Sequence, residues 1–271
     1  MQDLKFFGSW ISTIQVQETN MATVPGGSFV TDSVNHAVLH GGAGADQFFL
    51  THNGDVVSGG GGDDFFSMTG HHGVIDAGDG NDVLFASGHH DFIFGGAGDD
   101  MISTSGSGHD TLMGGAGDDT MLAGGSHNFL DGGAGNDYLH GGTGFDTLIG
   151  GSGNDTLVAG SGTATLIGGP GSTTMVAGTG NDLMIGGSGH DTFVFNSNGG
   201  QNVVMGFHDG DMLQIQQNIN GLAIHSAADV AAHVTDSNGS AVITLGQESI
   251  TLIGIKAEDI HNNPSGYFTI H

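Results

Sequence analysis

A chain of 271 residues with 29 acidic and only two basic side chains, Lys5 and Lys256, carries a formal charge of −27 and opposes its own compaction. That sign excludes nucleic acid and anionic membrane surfaces as partners. The absence of Cys excludes disulfides, thiolate catalysis and Cys-ligated zinc.

The acids are 26 Asp against three Glu (Glu18, Glu248 and Glu258), a bias that suits tight turns and hard-metal sites. Something cationic is therefore expected to join the folded state. No run reaches the roughly 18 apolar residues of a membrane span.

Residues 1–31 show no clear repeat and are expected to form an N-terminal cap, with Phe6, Phe7, Trp10 and Ile11 closing the open core. Within them, 23–31 already falls in the register of the repeat that follows, with Val30 at its apolar position. The first ten residues lack a long apolar region and a small-residue cleavage pattern, so no N-terminal export signal is evident.

From Asp32 to Val194 the chain reads as nonapeptides of the form G-G-x-G-x-D-x-U-x, eight before and ten after a single inserted residue, assigned to Thr104. Position eight is apolar in all eighteen units, and position six is Asp in thirteen. The Gly-rich half predicts a turn in conformations that a Cβ forbids. The x-U-x half predicts a three-residue strand with its middle side chain inward. Two units then make one coil, and residues eighteen apart stack.

Alternate units lie on opposite edges. The first edge has Gly at position four throughout and Asp46, Asp64, Asp82, Asp100, Asp119, Asp137, Asp155 and Asp191 at position six, broken by Thr173. The second edge keeps Asp55, Asp91, Asp110, Asp146 and Asp182, but elsewhere has Ala37, Gly73, Asn128 and Ala164. Its position four is eroded to Asn35, Asn53, His71, His89 and Ser126, a place where left-handed backbone is expected and His fits less readily than Asn. Cation sites are expected to be nearly continuous on the first edge and fewer on the second.

Units such as 132–140 (GGAGNDYLH) and 150–158 (GGSGNDTLV) match this nonapeptide without departure, and the pattern resembles the RTX (repeats-in-toxin) family. The resemblance implies an all-β, right-handed parallel β-roll (solenoid) in which Asp carboxylates and turn carbonyls hold Ca2+ between successive turns. It also implies secretion through a type I apparatus to the outside of a bacterial cell, directed by an uncleaved C-terminal signal.

Position five of the second edge reads His36, Gly54, His72, His90, His109 and His127, with His71 and His89 beside two of them. This histidine ladder admits three readings: solvated turn residues, a transition-metal site, or a charge change near pH 6.5. Position nine carries outward ladders, Val158, Val176 and Val194 on one sheet and Ile149, Ile167 and Ile185 on the other. They express either strand preference or an interface.

Beyond Val194 the period is lost. Residues 195–271 predict short strands (202–207, 211–215, 241–245, 249–254 and 267–270) and a helical stretch at 226–233, together a β-rich capping region. The segment 206–215 looks like the family's post-repeat cap, which implies that Asp209 or Asp211 serves a terminal calcium site. No G-x-S-x-G, H-E-x-x-H, P-loop or Cys nucleophile is present, and the carboxylate spacing is accounted for by metal binding, so an enzyme is not expected. The expected function is a calcium-folded extracellular structural or self-assembling protein (surface layer, matrix or filament). The alternative is an adhesin-like or polysaccharide-binding module.

Overall fold

The computed structural model describes residues 4–6, 9–11, 13–16, 21–23, 25–32 and 34–271, and the side chains of residue 23 and of 25–271 apart from 33. The expectation for Phe6, Phe7, Trp10 and Ile11 lies outside the residues whose side chains are described. The chain divides into two compact units, Met1–Ala134 and Gly135–His271.

In the first unit the strands alternate between two parallel sheets. One sheet runs Thr13–Val16, Phe29–Asp32, Gln47–Leu50, Phe65–Met68, Val83–Ala86, Met101–Thr104 and Thr120–Leu122. The other runs Met21–Thr23, Val38–His40, Val56–Gly61, Val74–Asp79, Phe92–Ala97, Thr111–Ala116 and Phe129–Ala134. Leu4–Phe6 and Ser9–Ile11 form a separate antiparallel pair.

The register explains the repeat. Phe48 pairs with Phe66 and Ile75 with Ile93, each eighteen residues on, so every position-eight side chain lands above the last. A slip by one residue would turn that whole ladder outward. Phe48, Phe66, Leu84, Ile102, Leu39, Ile75 and Ile93 are fully buried, and the Phe48 and Phe66 rings stack at 4.9 Å. Each such side chain contributes about 1.5–3 kcal/mol through burial. Val30, buried beneath Phe48, carries the same ladder into Phe29–Asp32.

One local expectation is corrected. Thr104 is not the inserted residue, because it pairs with Ala86 at the ordinary spacing of eighteen. The shift to nineteen comes later, where His89 bridges Gly108. The extra residue therefore sits in the exposed turn, where a bulge leaves the inward ladder undisturbed.

The second unit repeats the plan. Its sheets run Tyr138–His140, Thr156–Val158, Thr174–Val176, Thr192–Phe195, Met212–Ile215 and Phe268–Ile270, and Asp146–Ser152, Ala164–Pro170, Leu183–Ser188, Gln201–Met205 and Glu248–Leu252. Parallel stacking thus continues past the last nonapeptide. Ser240–Leu245 then joins Glu248–Leu252 antiparallel, followed by Val234–Ser237, and ends the stack with a meander. The helix Ala227–Ala231 begins at Ser226, whose side chain accepts the Asp229 N–H. Among the described residues no helix is long and apolar enough to cross a membrane.

Candidate metal centre

On the first edge each turn brings its position-six carboxylate inward under its own glycines. Gly60 and Gly62, positions two and four of one turn, have φ of 105° and 104°, a region L side chains rarely adopt. The chain doubles back there, and Asp64 is left 2% exposed. Its Oδ1 accepts the N–H of Asp46, one coil earlier, at 2.7 Å. The same bond recurs from Ser28 to Asp46, Asp64 to Asp82, Asp82 to Asp100 and Asp100 to Asp119. In the second unit it joins Asp137 to Asp155, Thr173 to Asp191 and Asp191 to Asp211.

The second oxygens are the chemically open ones. Oδ2 of Asp64, Asp82, Asp100, Asp155 and Asp191 is buried with no hydrogen-bond partner. Position-one Gly59, Gly95, Gly150 and Gly186 face this oxygen of Asp64, Asp100, Asp155 and Asp191, while Ala77 holds position one in the turn of Asp82. A Cβ on Gly59 would overlap both Asp64 Oδ2 and the Ala77 carbonyl oxygen. A Cβ on Gly95 or Gly150 would likewise meet Oδ2 of Asp100 or Asp155 and the carbonyl of Gly114 or Gly168. Two acceptors turned toward one another without a donor call for a proton or a metal cation, since a buried unpaired carboxylate costs several kcal/mol. The donors are all oxygen, which fits a hard dication such as Ca2+. Lys5 and Lys256 are too few to do this for thirteen repeat aspartates.

The second edge keeps the same inner geometry wherever Asp remains. Ala37, Gly73, Asp91 and Ala164 donate their N–H to Oδ1 of Asp55, Asp91, Asp110 and Asp182. Oδ2 of Asp55, Asp91 and Asp110 is buried and unpartnered, as on the first edge. Asp182 differs, because its Oδ2 accepts the Gly178 N–H at 3.0 Å. Asp119, Asp137 and Asp146 are buried at their expected places.

Burial dominates the electrostatics. It pushes the Asp55 and Asp64 carboxyls up to about 7 and those of Asp91 and Asp100 up to about 6, with neighbouring carboxylates adding to the rise. Burial also raises Asp82, Asp110, Asp155, Asp182 and Asp191. Proton and metal ion therefore compete for the same oxygens.

The two edges differ in which residue turns left-handed. On the first edge position four donates its N–H to the next coil, as from Gly62 to the Asp79 carbonyl at 2.7 Å. On the second edge of the first unit this role moves to position five, as from His72 to the His89 carbonyl at 3.1 Å. His36, His72, His90, His109 and His127 accordingly have φ between 58° and 63°, with Gly54 at 72°. The expectation that position four carries this conformation is thus corrected for His71 and His89. In the second unit position four carries it at Gly144 and Gly162, which have positive φ.

The rings follow the backbone. His72, His90, His109 and His127 stack at 5.2, 4.8 and 4.8 Å. The His36 ring leans over Gly54, where a Cβ would stand 2.7 Å from its Cδ2.

Several participants were missed from sequence. Asn128 takes the place of Asp, accepting the Asp110 N–H and donating its amide to the Gly124 carbonyl at 3.1 Å. Asn202 does the same acceptor work for Asp182 at 2.9 Å. Asp211 is fully buried and extends the first-edge file by one coil; Asp209 is exposed. Asn202 was hidden from a nine-residue template by its spacing of twenty from Asp182, whereas Asp211 was already expected from the likeness of segment 206–215 to a post-repeat cap. Asp32, at position one, pairs with His52 at 2.6 Å.

Stacked Gly/Asp turns with inward, unpartnered carboxylate oxygens define a parallel β-roll built around hard cations. The RTX calcium-binding nonapeptide repeat family matches residues 38–66, 69–102, 104–139, 131–166 and 167–204, and the chain belongs to that family. No curated protein matches it in sequence. Among solved structures it is similar to the extracellular lipase LipA from Serratia marcescens, at 22% identity and a TM-score of 0.34. That likeness covers 67% of this chain and 40% of the lipase chain.

Proposed function

We propose that the chain is a secreted protein whose calcium-driven folding builds an extracellular structural or self-assembling material, without catalysis of its own. The observation that carries this reading is the file of buried Asp Oδ2 atoms facing carbonyl oxygens with no donor between them. Each thirteenfold-repeated Asp would supply one carboxylate, and the turn carbonyls the remaining oxygens. At low calcium the uncompensated charge keeps the chain expanded. At millimolar calcium the ion binds the folded roll alone and stabilises it by mass action.

In this reading residues 1–31 and 195–271 cap a repeat domain at 32–194, and the C-terminal part carries the signal for a type I secretion apparatus. Self-association is supported by the half-buried outward ladders, in which Val158 pairs with Val176, and Ile149 with Ile167 and Ile167 with Ile185; Val194, paired with Val176, is buried. Circular dichroism in EDTA and in millimolar Ca2+ tests the folding: a cooperative gain of β-structure is expected, and identical spectra overturn it. Light scattering tests the assembly: growth on calcium addition is expected, and persistent monomers overturn it.

A second reading, an adhesin-like or polysaccharide-binding module, is favoured by one observation. Phe29, Phe49, Phe65 and Phe85 form an outward ring ladder with centroids 4.9, 5.6 and 5.9 Å apart, and Phe85 is 39% exposed. Aromatic faces in a row suit sugar rings as well as a second copy of the chain. Retention on immobilised polysaccharide by calcium-loaded monomers would favour this reading over assembly.

A further inference from the structure

The second edge doubles its histidines at two consecutive coils, 71–72 and 89–90, and there alone in the chain. His71 stacks on His89 at 4.1 Å and His72 on His90 at 5.2 Å. Across the block the rings meet edge to face, His72 with His89 at 5.3 Å and His89 with His90 at 4.9 Å. Four imidazoles thus form a two-by-two array.

Turn geometry accounts for only half of it. Left-handed φ at positions 72 and 90 admits His, but Gly or Asn serves there at less strain. At 71 and 89 the φ is ordinary and asks for no particular residue. What the pairs do share is converging nitrogen atoms. One ring nitrogen from each of His72, His89 and His90 lies within 4.8 Å of the other two. His89 Nδ1 and His90 Nδ1 are 2.8 Å apart. His71 Nδ1 is buried beside them without a partner.

We propose that His72, His89 and His90 form a site for one late first-row transition-metal dication, Ni2+ or Cu2+, separate from the calcium files. At metal–nitrogen distances of about 2.0 Å, the His89 and His90 Nδ1 atoms, 2.8 Å apart, subtend roughly 90°, the cis angle of square or octahedral coordination rather than tetrahedral zinc, and a small ring movement brings in His72. His72 and His90 are exposed, so water completes the coordination sphere. Imidazole nitrogen is a poor ligand for Ca2+, which keeps the site selective in a calcium-rich medium. His71 touches no metal in this arrangement; it is a positioning residue that holds the His89 ring by stacking.

The test is calorimetric titration of Ni2+ into the full chain in millimolar Ca2+, with calcium-induced circular dichroism recorded for every variant. The parent is expected to bind one ion. Since loss of an outer-shell partner already costs about 10–100-fold in affinity, the double variant His72→Asn/His90→Asn, which tolerates the left-handed backbone, is expected to weaken binding at least tenfold. His89→Gln, at ordinary φ, should do the same and serves if the double variant does not fold. The control His225→Gln/His233→Gln should bind like the parent. Parent-like affinity in a folded His72→Asn/His90→Asn or His89→Gln variant overturns the site, as does equal weakening in the control.

Discussion

Asp46 and Asp64, eighteen residues apart, are joined by a 2.7 Å hydrogen bond from the backbone N–H of the first to Oδ1 of the second. The bond uses one carboxylate oxygen for architecture and leaves the other for a cation. Asp64 is therefore a rung of the fold and, in the calcium file proposed above, a metal ligand as well, two roles that are separable by mutation.

Asp64→Asn keeps the rung and removes the charge. Its amide would take the role that Asn128 plays, donating to a turn carbonyl. Calcium stoichiometry should fall while the calcium-loaded fold persists. Asp64→Ala also orphans the Asp46 N–H and should cost a further 1–3 kcal/mol or so. Equilibrium dialysis together with denaturant unfolding separates the two, and equal stability of the two variants would contradict the dual role.

Gly59 and Gly61 are two residues apart and should respond oppositely to Ala. A Cβ on Gly59 overlaps Asp64 Oδ2 and the Ala77 carbonyl, whereas one on Gly61 meets nothing nearer than 3.8 Å. Gly59→Ala should lose about 1–3 kcal/mol and one calcium site. Gly61→Ala should stay within about 0.5 kcal/mol of the parent. Unfolding midpoints at fixed calcium provide the comparison.

Acidity should act in opposite directions with and without calcium. Asp55 and Asp64 titrate near 7 and Asp91 and Asp100 near 6 in the folded roll, all above an exposed carboxylate because of burial. The folded state then binds protons more tightly than the unfolded one. The metal-free roll gains stability as pH falls through 7 and 6 and loses it as pH rises through the same window. Calcium displaces those protons, so its titration midpoint should move to higher concentration at pH 5.5 than at pH 8. Dichroism in EDTA at both pH values checks the first part, and calcium titrations check the second.

His109 tests the altered turn. With φ of 63°, Gly is the relaxed residue at this position and Ala a strained one. His109→Gly should be more stable than His109→Ala by about 1 kcal/mol, measured by thermal unfolding at fixed calcium. Equal stabilities would mean that the turn readjusts its backbone.

The eighteen-residue register was readable because two unlike demands, an inward apolar residue and an inward carboxylate, recur in phase. Ile75 over Ile93 and Asp64 over Asp82 both follow from it. The second-edge turn was not readable in the same way. The left-handed residue moves there from position four to position five, and Gly54, alone among the histidines of that position, hints at the move. Asn128 and Asn202 escaped because a neutral amide fills the carboxylate's place by hydrogen bonding, a substitution that a charge pattern conceals. The inserted residue was placed at Thr104 because a strand and its turn have no boundary in a nine-letter template.

The direction of the cross-coil bond has a further consequence. In the position-six rungs named above the donor N–H belongs to the earlier coil and the accepting oxygen to the later one, ending with Asn202 and Asp211 beyond the last nonapeptide. A fragment cut after any coil strands a buried N–H, for which a metal ion is no substitute. A fragment that begins at a coil loses the donor to its first carboxylate and also a backbone acceptor, as the Phe65 N–H loses the Asp46 carbonyl. Direction thus sorts the side-chain rungs by depth: the buried position-six bonds point one way along the chain, and the exposed position-five bonds, from Asn81 to Asp63 and from Asp99 to Asn81, point the other.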